Sequence, residues 1–270
     1  MNSEPHAASD VKQCCAALYG SDAARFLLGD SFHPGGIELT LELAGMLRLD
    51  AEAALLDVAC GKGTSALAAA ERFGCRATGV DLSAANVAEA NAEAARRGLA
   101  DRVRFVVGDA EALPFAAASF DALLCECAFC TFPDKARAAW EFARVVRSGG
   151  RVGISDLTRA PGAIPELDGL LAWIACIGDA RPLESYAQWL TGAEFSIAAT
   201  VAREAVIARM VDGVRGKILL ADVMIGLKRL QLPGFDAQQA KRFASAAEQA
   251  VKAKQLGYAL LVAERQPVAT

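Results

Sequence analysis

The run Cys125-Glu126-Cys127-Ala128-Phe129-Cys130 gathers three thiols around one carboxylate, and Cys176 lies further along the chain. Thiolates select soft centres, so these sulfurs suit binding of a soft, thiophilic element. Cysteine is also a small buried hydrophobe, which leaves core packing as the alternative for each one. Glu126 suits orienting or deprotonating a bound molecule, or simply taking backbone amides. His33 titrates near neutral pH and is a candidate general base, or a loop residue that merely hydrogen-bonds. With only two histidines and no second cysteine pair at zinc spacing, no metal site is expected.

A second set of chemical residues surrounds Leu55-Leu56-Asp57-Val58-Ala59-Cys60-Gly61-Lys62-Gly63-Thr64-Ser65-Ala66. An apolar run ends in a carboxylate, two glycines turn the chain, and an alanine-rich helical pattern follows. This reads as the first strand-turn-helix unit of an open α/β sheet, and such sheets take ligands at the carboxyl ends of their strands. Glycine at Gly61 and Gly63 lets backbone approach a ligand that a Cβ would block. The spacing also fits a dinucleotide fingerprint. Asp57 argues against that, because a carboxylate repels a pyrophosphate. S-adenosyl-L-methionine has no phosphate and carries a cationic sulfonium and amino group, so the strand-tip acid favours it. A glycine turn with no ligand is the remaining alternative. Asp81 ends the second strand, where acids accept from ribose hydroxyls. It could instead cap the next helix, although Ser83 is better placed to do so. Asp109 follows the third strand and suits an adenine amino group or a turn.

The elements that must position these groups alternate. Strands are predicted over Ala54–Val58, Arg76–Val80, Val103–Val107, Phe120–Cys125 and Arg151–Ser155, with helices over Thr64–Phe73, Ala84–Arg97 and Lys135–Val146. That rhythm implies a mostly parallel sheet with right-handed crossovers. Before it, helices are predicted from Val11 to about Leu18, over Ala23–Leu28 as a short turn, and over Ile37–Leu47. After it come helices over Pro165–Ile177 and Leu183–Thr191 and a strand over Phe195–Val201. Residues 203–254 read as mostly helical with a break at Pro233-Gly234, and Leu256–Glu264 as a last, antiparallel strand. The expected organisation is a helical N-terminal lid over residues 1–48, an α/β core over 49–202 and 255–270, and a helical insertion over 203–254 covering the site.

The 270-residue chain is 54% hydrophobic with a formal charge of -4, which supports a large core and argues against a nucleic-acid binder. Charged residues interrupt every apolar run, so no membrane span is expected. No signal peptide is evident, and eight cysteines then read as thiols in a cytoplasmic protein. The oligomeric state is not legible.

In order and spacing, the stretches LLDVACGKGTSAL, TGVDLSAANVAEA, VVGDAEALPF, SFDALLCECAFCTFPD and RVVRSGGRVGISDL resemble the class I S-adenosylmethionine-dependent methyltransferases, over about residues 50–158. The resemblance implies a Rossmann-like fold and methyl transfer to a small-molecule acceptor. It implies that Asp57, Ala59, Gly61 and Gly63 hold the methionine end, Asp81 and Leu82 the ribose and adenine, Asp109 and Ala110 the adenine edge, with Cys125 beside the methionine moiety. Cys127, with the Cys176-Ile177-Gly178 segment and Tyr186 after it, is similar to the trivalent-arsenic methyltransferases. That resemblance implies that Cys127 and Cys176 bind the metalloid through sulfur, with Cys130, Cys14 or Cys15 as a third ligand. Ala66 stands where those enzymes have a further cysteine. The alternative is an O-, C- or N-methyltransferase of a small organic acceptor, which the His33-Pro34-Gly35-Gly36 loop suits.

Overall fold

The computed structural model describes residues 34–162, 164, 167, 176–227 and 236–267. Seven strands form one sheet: β1 (Ala54–Val58), β2 (Arg76–Asp81), β3 (Val103–Val107), β4 (Phe120–Glu126), β5 (Val146–Arg159), β6 (Phe195–Ala202) and β7 (Leu256–Arg265). Their order across the sheet is β3-β2-β1-β4-β5-β7-β6. β1 to β5 run parallel, whereas β7 pairs antiparallel with both β5 and β6. The helices are α1 (Gly36–Gly45), α2 (Thr64–Phe73), α3 (Ala84–Arg96), α4 (Lys135–Val145), α5 (Leu183–Gly192), α6 (Glu204–Gly226) and α7 (Ala237–Lys252). This is the mostly parallel α/β sheet with an antiparallel last strand in chain order that the alternating pattern predicts.

The central strands are apolar almost throughout because helices cover both faces of the sheet. Leu55, Leu56 and Val58 of β1 and Leu123, Leu124 and Cys125 of β4 are fully buried. α2 packs through an alanine face, Ala66, Ala69 and Ala70, which lets the helix lie close to the strands. α1 docks by Leu39, Leu43 and Leu47, and Gly153 of β5 leaves room for Leu43 and Leu47. Phe129, Phe142, Tyr186 and Trp189 form an edge-packed aromatic group between α4, α5 and the short 3-10 turn Phe129–Thr131. α6 and α7 pack against each other, and Val206, Ile207, Val211, Ala247 and Ala250 join the main core.

Two elements differ from the sequence reading. β5 starts at Val146 and reaches Arg159, well beyond Arg151–Ser155. Its start pairs Phe120 with Val146, and its ladder to β4 resumes at Ala122–Arg151 after a bulge at the glycine pair. Its end is extended by β7, whose pairing continues to Arg159–Leu256 past the tip of β4. The predicted helix over Pro165–Ile177 falls largely outside the described residues, and its end at Cys176 is a turn with φ 58. The helices predicted within residues 11–28, and His33, Cys14, Cys15 and Pro233-Gly234, also lie outside the described residues. Among the described residues, no helix is long and apolar enough to cross a membrane.

Candidate active site

The turn after β1 is strained by design of its sequence. Ala59, Gly61 and Gly63 have φ of 58, 52 and 77, all left-handed. The two glycines do different work. A Cβ on Gly63 would stand 2.3 Å from Cζ of Phe105, so Gly63 permits packing of the turn onto β3. A Cβ on Gly61 would meet nothing within 4 Å, so Gly61 faces open space. The turn is fastened by Gly63 N–H to the Cys60 carbonyl (2.8 Å), Cys60 N–H to the Val80 carbonyl (3.1 Å), and Gly61 N–H to Oδ2 of Asp81 (2.9 Å).

The strand-tip acids surround this turn. Asp57 is buried, and its Oδ2 accepts from the Ala66 N–H in the first turn of α2 (3.1 Å). Burial pushes its carboxyl well above the ordinary range, and the Glu126 carboxylate nearby adds to the effect. Oδ1 of Asp81 accepts from Ser83 N–H (2.8 Å) and the Asn86 amide (3.3 Å). Ser83, as expected, caps α3 through Asn86 N–H. Leu82, 44% exposed, lies at the lip of the crevice. Asp109 is half-buried after β3 and accepts from Glu111 N–H (2.9 Å), with Ala110 buried beside it. β1, β2 and β3 are adjacent and parallel, so the three acids lie toward the carboxyl ends of neighbouring strands.

Among the described residues, Glu126 takes three hydroxyls. Its Oε2 accepts from Thr40 Oγ1 (2.9 Å) and Ser65 Oγ (2.6 Å), and its Oε1 from Ser155 Oγ (3.1 Å). Tyr258 in turn donates to Ser155 Oγ (3.0 Å). Thr40, Ser65, Ser155 and Tyr258 are residues that sequence reasoning did not single out. Their only sequence signal is a small or polar residue on an otherwise apolar face.

The thiols come together on the other side of β4. Cys127, at φ 50, gives its N–H to the Ser155 carbonyl (2.7 Å). The Cys176 thiol reaches the Cys127 carbonyl (3.4 Å) and hydrogen-bonds with the thiols of Cys127 and Cys130. Lys135 positions the turn carrying Cys176: buried on α4, it pairs with Asp179. Asp156 holds the other end, accepting from the N–H of Cys130 and of Leu157 (2.8 Å each). The Cys127 thiol is pushed up well above its ordinary range, first by its hydrogen bond with Cys176 and then by burial; burial does the same at Cys130. Burial, with the Cys176 thiol adding, raises the Asp156 carboxyl to about 7. Cys125 is wholly buried inside β4. Among the described residues, no group of three or more His, Cys, Asp or Glu side chains is arranged to hold a metal ion. A separate cleft beside α7, lined by Ile164, Arg242, Ser245, Ala246, Gln249 and Gln255, contains none of the predicted site residues.

Residues 56–154 match the methyltransferase domain family. The chain is 38% identical over 123 residues to 27-O-demethylrifamycin SV methyltransferase of Amycolatopsis mediterranei (strain S699), covering 46% of this chain and 45% of that protein. It is 40% identical over 109 residues to nocamycin O-methyltransferase of Saccharothrix syringae, covering 40% and 39%. The chain thus spans less than half the length of these relatives. In fold it is similar to the [4+2]-cyclase SpnF (TM-score 0.76, 23% identity, 99% of this chain and 100% of that one). It is also similar to Haemonchus contortus phosphoethanolamine N-methyltransferase 2 in complex with S-adenosyl-L-methionine (TM-score 0.75, 20% identity, 95% and 60%). A cyclase on the same fold shows that architecture alone does not decide the reaction. Residues 56–154 are a class I methyltransferase domain, the class whose methyl donor is S-adenosylmethionine.

Proposed function

We propose that this chain, working through the methyltransferase domain at residues 56–154, transfers a methyl group from S-adenosylmethionine to oxygen of a small organic acceptor of natural-product type. The observation that carries the reading is the open glycine turn held between two acids, with Gly61 tied to Asp81 and the helix after it to Asp57. The residues fit this donor better than a dinucleotide, because a pyrophosphate at the turn would meet Asp57. The oxygen acceptor is supported by the relatives named as O-methyltransferases of rifamycin-type and nocamycin compounds.

When bound, the donor supplies an electrophilic methyl group on a sulfonium. Asp57, Ala59, Gly61 and Gly63 would hold its methionine end, the two glycines by letting backbone come close. Asp81 would accept from the ribose hydroxyls, Leu82 would flank adenine, and Asp109 and Ala110 would hold the adenine edge. Cys125 would form the wall beneath the methionine moiety. His33 is assigned the acceptor's proton. Residues 1–48 and the segment 203–254 are proposed as the cover that excludes water and aligns acceptor with methyl group. A cytoplasmic setting suits the free thiols at Cys60, Cys75, Cys125, Cys127, Cys130 and Cys176.

A second reading is methyl transfer to a trivalent arsenical held by Cys127 and Cys176, with Cys130 as a further ligand. One observation favours it, the convergence of these three thiols. Ligation requires thiolates, the Cys127 and Cys130 thiols are pushed above their ordinary range, and the relatives carry names of organic acceptors, so the organic acceptor is preferred. An acceptor screen on the purified protein decides between them. S-adenosylhomocysteine release with phenols and hydroxylated polyketides, and none with trivalent arsenicals, is expected. Release with arsenicals alone reverses the order of the two readings. A protein that binds no donor overturns both.

A further inference from the structure

We infer that Glu126 is a positioning residue for the donor turn, and that it couples this turn to helix α1 through a single carboxylate oxygen. The inference rests on the donor reading above and goes beyond it, because the sequence points Glu126 at the acceptor.

Three observations support it. First, Oε2 of Glu126 accepts both Thr40 Oγ1 from α1 and Ser65 Oγ from the first turn of α2. One carboxylate oxygen offers two lone pairs and can serve two hydroxyls at once. Second, the next residue of α2, Ala66, donates to Asp57. Asp57 and Glu126 lie on adjacent strands, paired through Val58 and Cys125. The two acids therefore grip the same helical turn, and that turn follows directly on Gly61-x-Gly63. Third, Thr40 is mid-helix, and its hydroxyl lies 3.5 Å from the Gly36 carbonyl but 2.9 Å from Glu126. A mid-helix threonine ordinarily bonds back to its own helix, so this hydroxyl favours Glu126 over its own turn. α1 does not need the bond in order to dock, because Leu39, Leu43 and Leu47 are buried against the core.

The Glu126 carboxylate is braced from behind by Ser155, which Tyr258 orders. A change in α1 is thereby transmitted to α2 and the turn, and a donor seated on the turn stabilises α1 in return, as linkage requires. Amide exchange across the turn reads this coupling directly.

The test uses the full chain, S-adenosylhomocysteine as probe, calorimetry, thermal melts and amide exchange at residues 61–66. Glu126→Gln is expected to weaken binding about tenfold, the scale of losing hydrogen bonds to a charged acceptor. Thr40→Val is expected to weaken it roughly threefold and to quicken exchange in the turn although the substitution lies on another helix. Thr40→Ser should restore both binding and exchange. Adding Thr40→Val to Glu126→Gln should weaken binding no further, since the two act through one oxygen. Should Glu126→Gln fail to fold, Thr40→Val and Ser65→Ala carry the same comparison. Wild-type affinity and exchange in Thr40→Val and Ser65→Ala would overturn the inference while leaving the function intact. A wild-type protein that does not bind the probe overturns both.

Discussion

Gly61 gives its backbone N–H to Oδ2 of Asp81 across 2.9 Å, so the tip of β2 holds the turn that follows β1. Asp81 thus has two duties at the proposed site, fastening the turn and accepting from ribose. Asp81→Ala is expected to weaken S-adenosylhomocysteine binding at least about tenfold, at ~1.5–3 kcal/mol for each charged hydrogen bond lost. Asp81→Asn keeps one acceptor oxygen and should lose less. Calorimetry measures both, and an unchanged dissociation constant in the alanine variant would remove Asp81 from the site.

The two turn glycines should separate stability from binding. Gly63→Ala places a Cβ 2.3 Å from Phe105 at φ 77 and is expected to cost about 2–4 kcal/mol, overpacking and left-handed strain together. Gly61→Ala meets no neighbour and should cost only about 1–2 kcal/mol of left-handed strain, while putting a methyl group where the donor would lie. Urea denaturation and probe binding on both variants check this. Equal midpoints would contradict the division of labour.

Asp156 predicts a pH dependence with a definite sign. Its carboxyl is raised from 3.8 to about 7 by burial, so the folded protein holds this proton at pH values where the unfolded chain has released it. The folded state then binds more protons between about pH 4 and pH 7, and this group's contribution to stability falls as pH rises through that window. The loss is at most about 4 kcal/mol, at 1.36 kcal/mol per tenfold in proton affinity. Asp156→Asn should melt close to wild type only at about pH 4, and increasingly above it as pH rises to about 7 and beyond. Parallel melting curves at every pH would show that the carboxyl titrates normally.

Cys127→Ser and Cys176→Ser should retain transfer to an organic acceptor, since the thiols are then packing residues. Both should lose transfer to a trivalent arsenical if that is the substrate, with donor binding intact. Measuring both activities on each variant separates the acceptors. Loss of organic methylation without loss of fold would give the thiols a role that packing does not supply.

Closure over the site predicts slower amide exchange in α1 and in α6 and α7 when S-adenosylhomocysteine and acceptor are both bound. Protection confined to residues 56–154 would mean that these helices do not act as a cover.

The strand-turn-helix units were legible because each is local: an apolar run, a strand-tip acid, a glycine turn and a helical face follow one another in the chain. Asp57, Asp81 and Asp109 stand out for the same reason. The network on Glu126 was not legible, because Thr40, Ser65, Ser155 and Tyr258 arrive from four separate elements with no common spacing. The length of β5 was hidden by Gly149-Gly150, which reads as a break yet forms a bulge within the strand. Cys176 was read as helical because nothing in its side chain announces a left-handed φ. The thiols were legible as a group, but not the hold of Asp156 on the Cys130 N–H beside them.

The placing of β7 has a consequence for assembly during synthesis. It is the last of the seven strands in chain order, yet it lies between β5 and β6. A chain emerging N-terminal end first can pair β1 to β5 as they appear. β6, made earlier than β7, has no partner in the sheet until β7 arrives. Its exposed ladder groups are then a hazard for mispairing. α6 and α7, made in the interval, must wait for the same strand, since both pack against it. One strand, β7, therefore completes the pairing of β6 and the seating of α6 and α7.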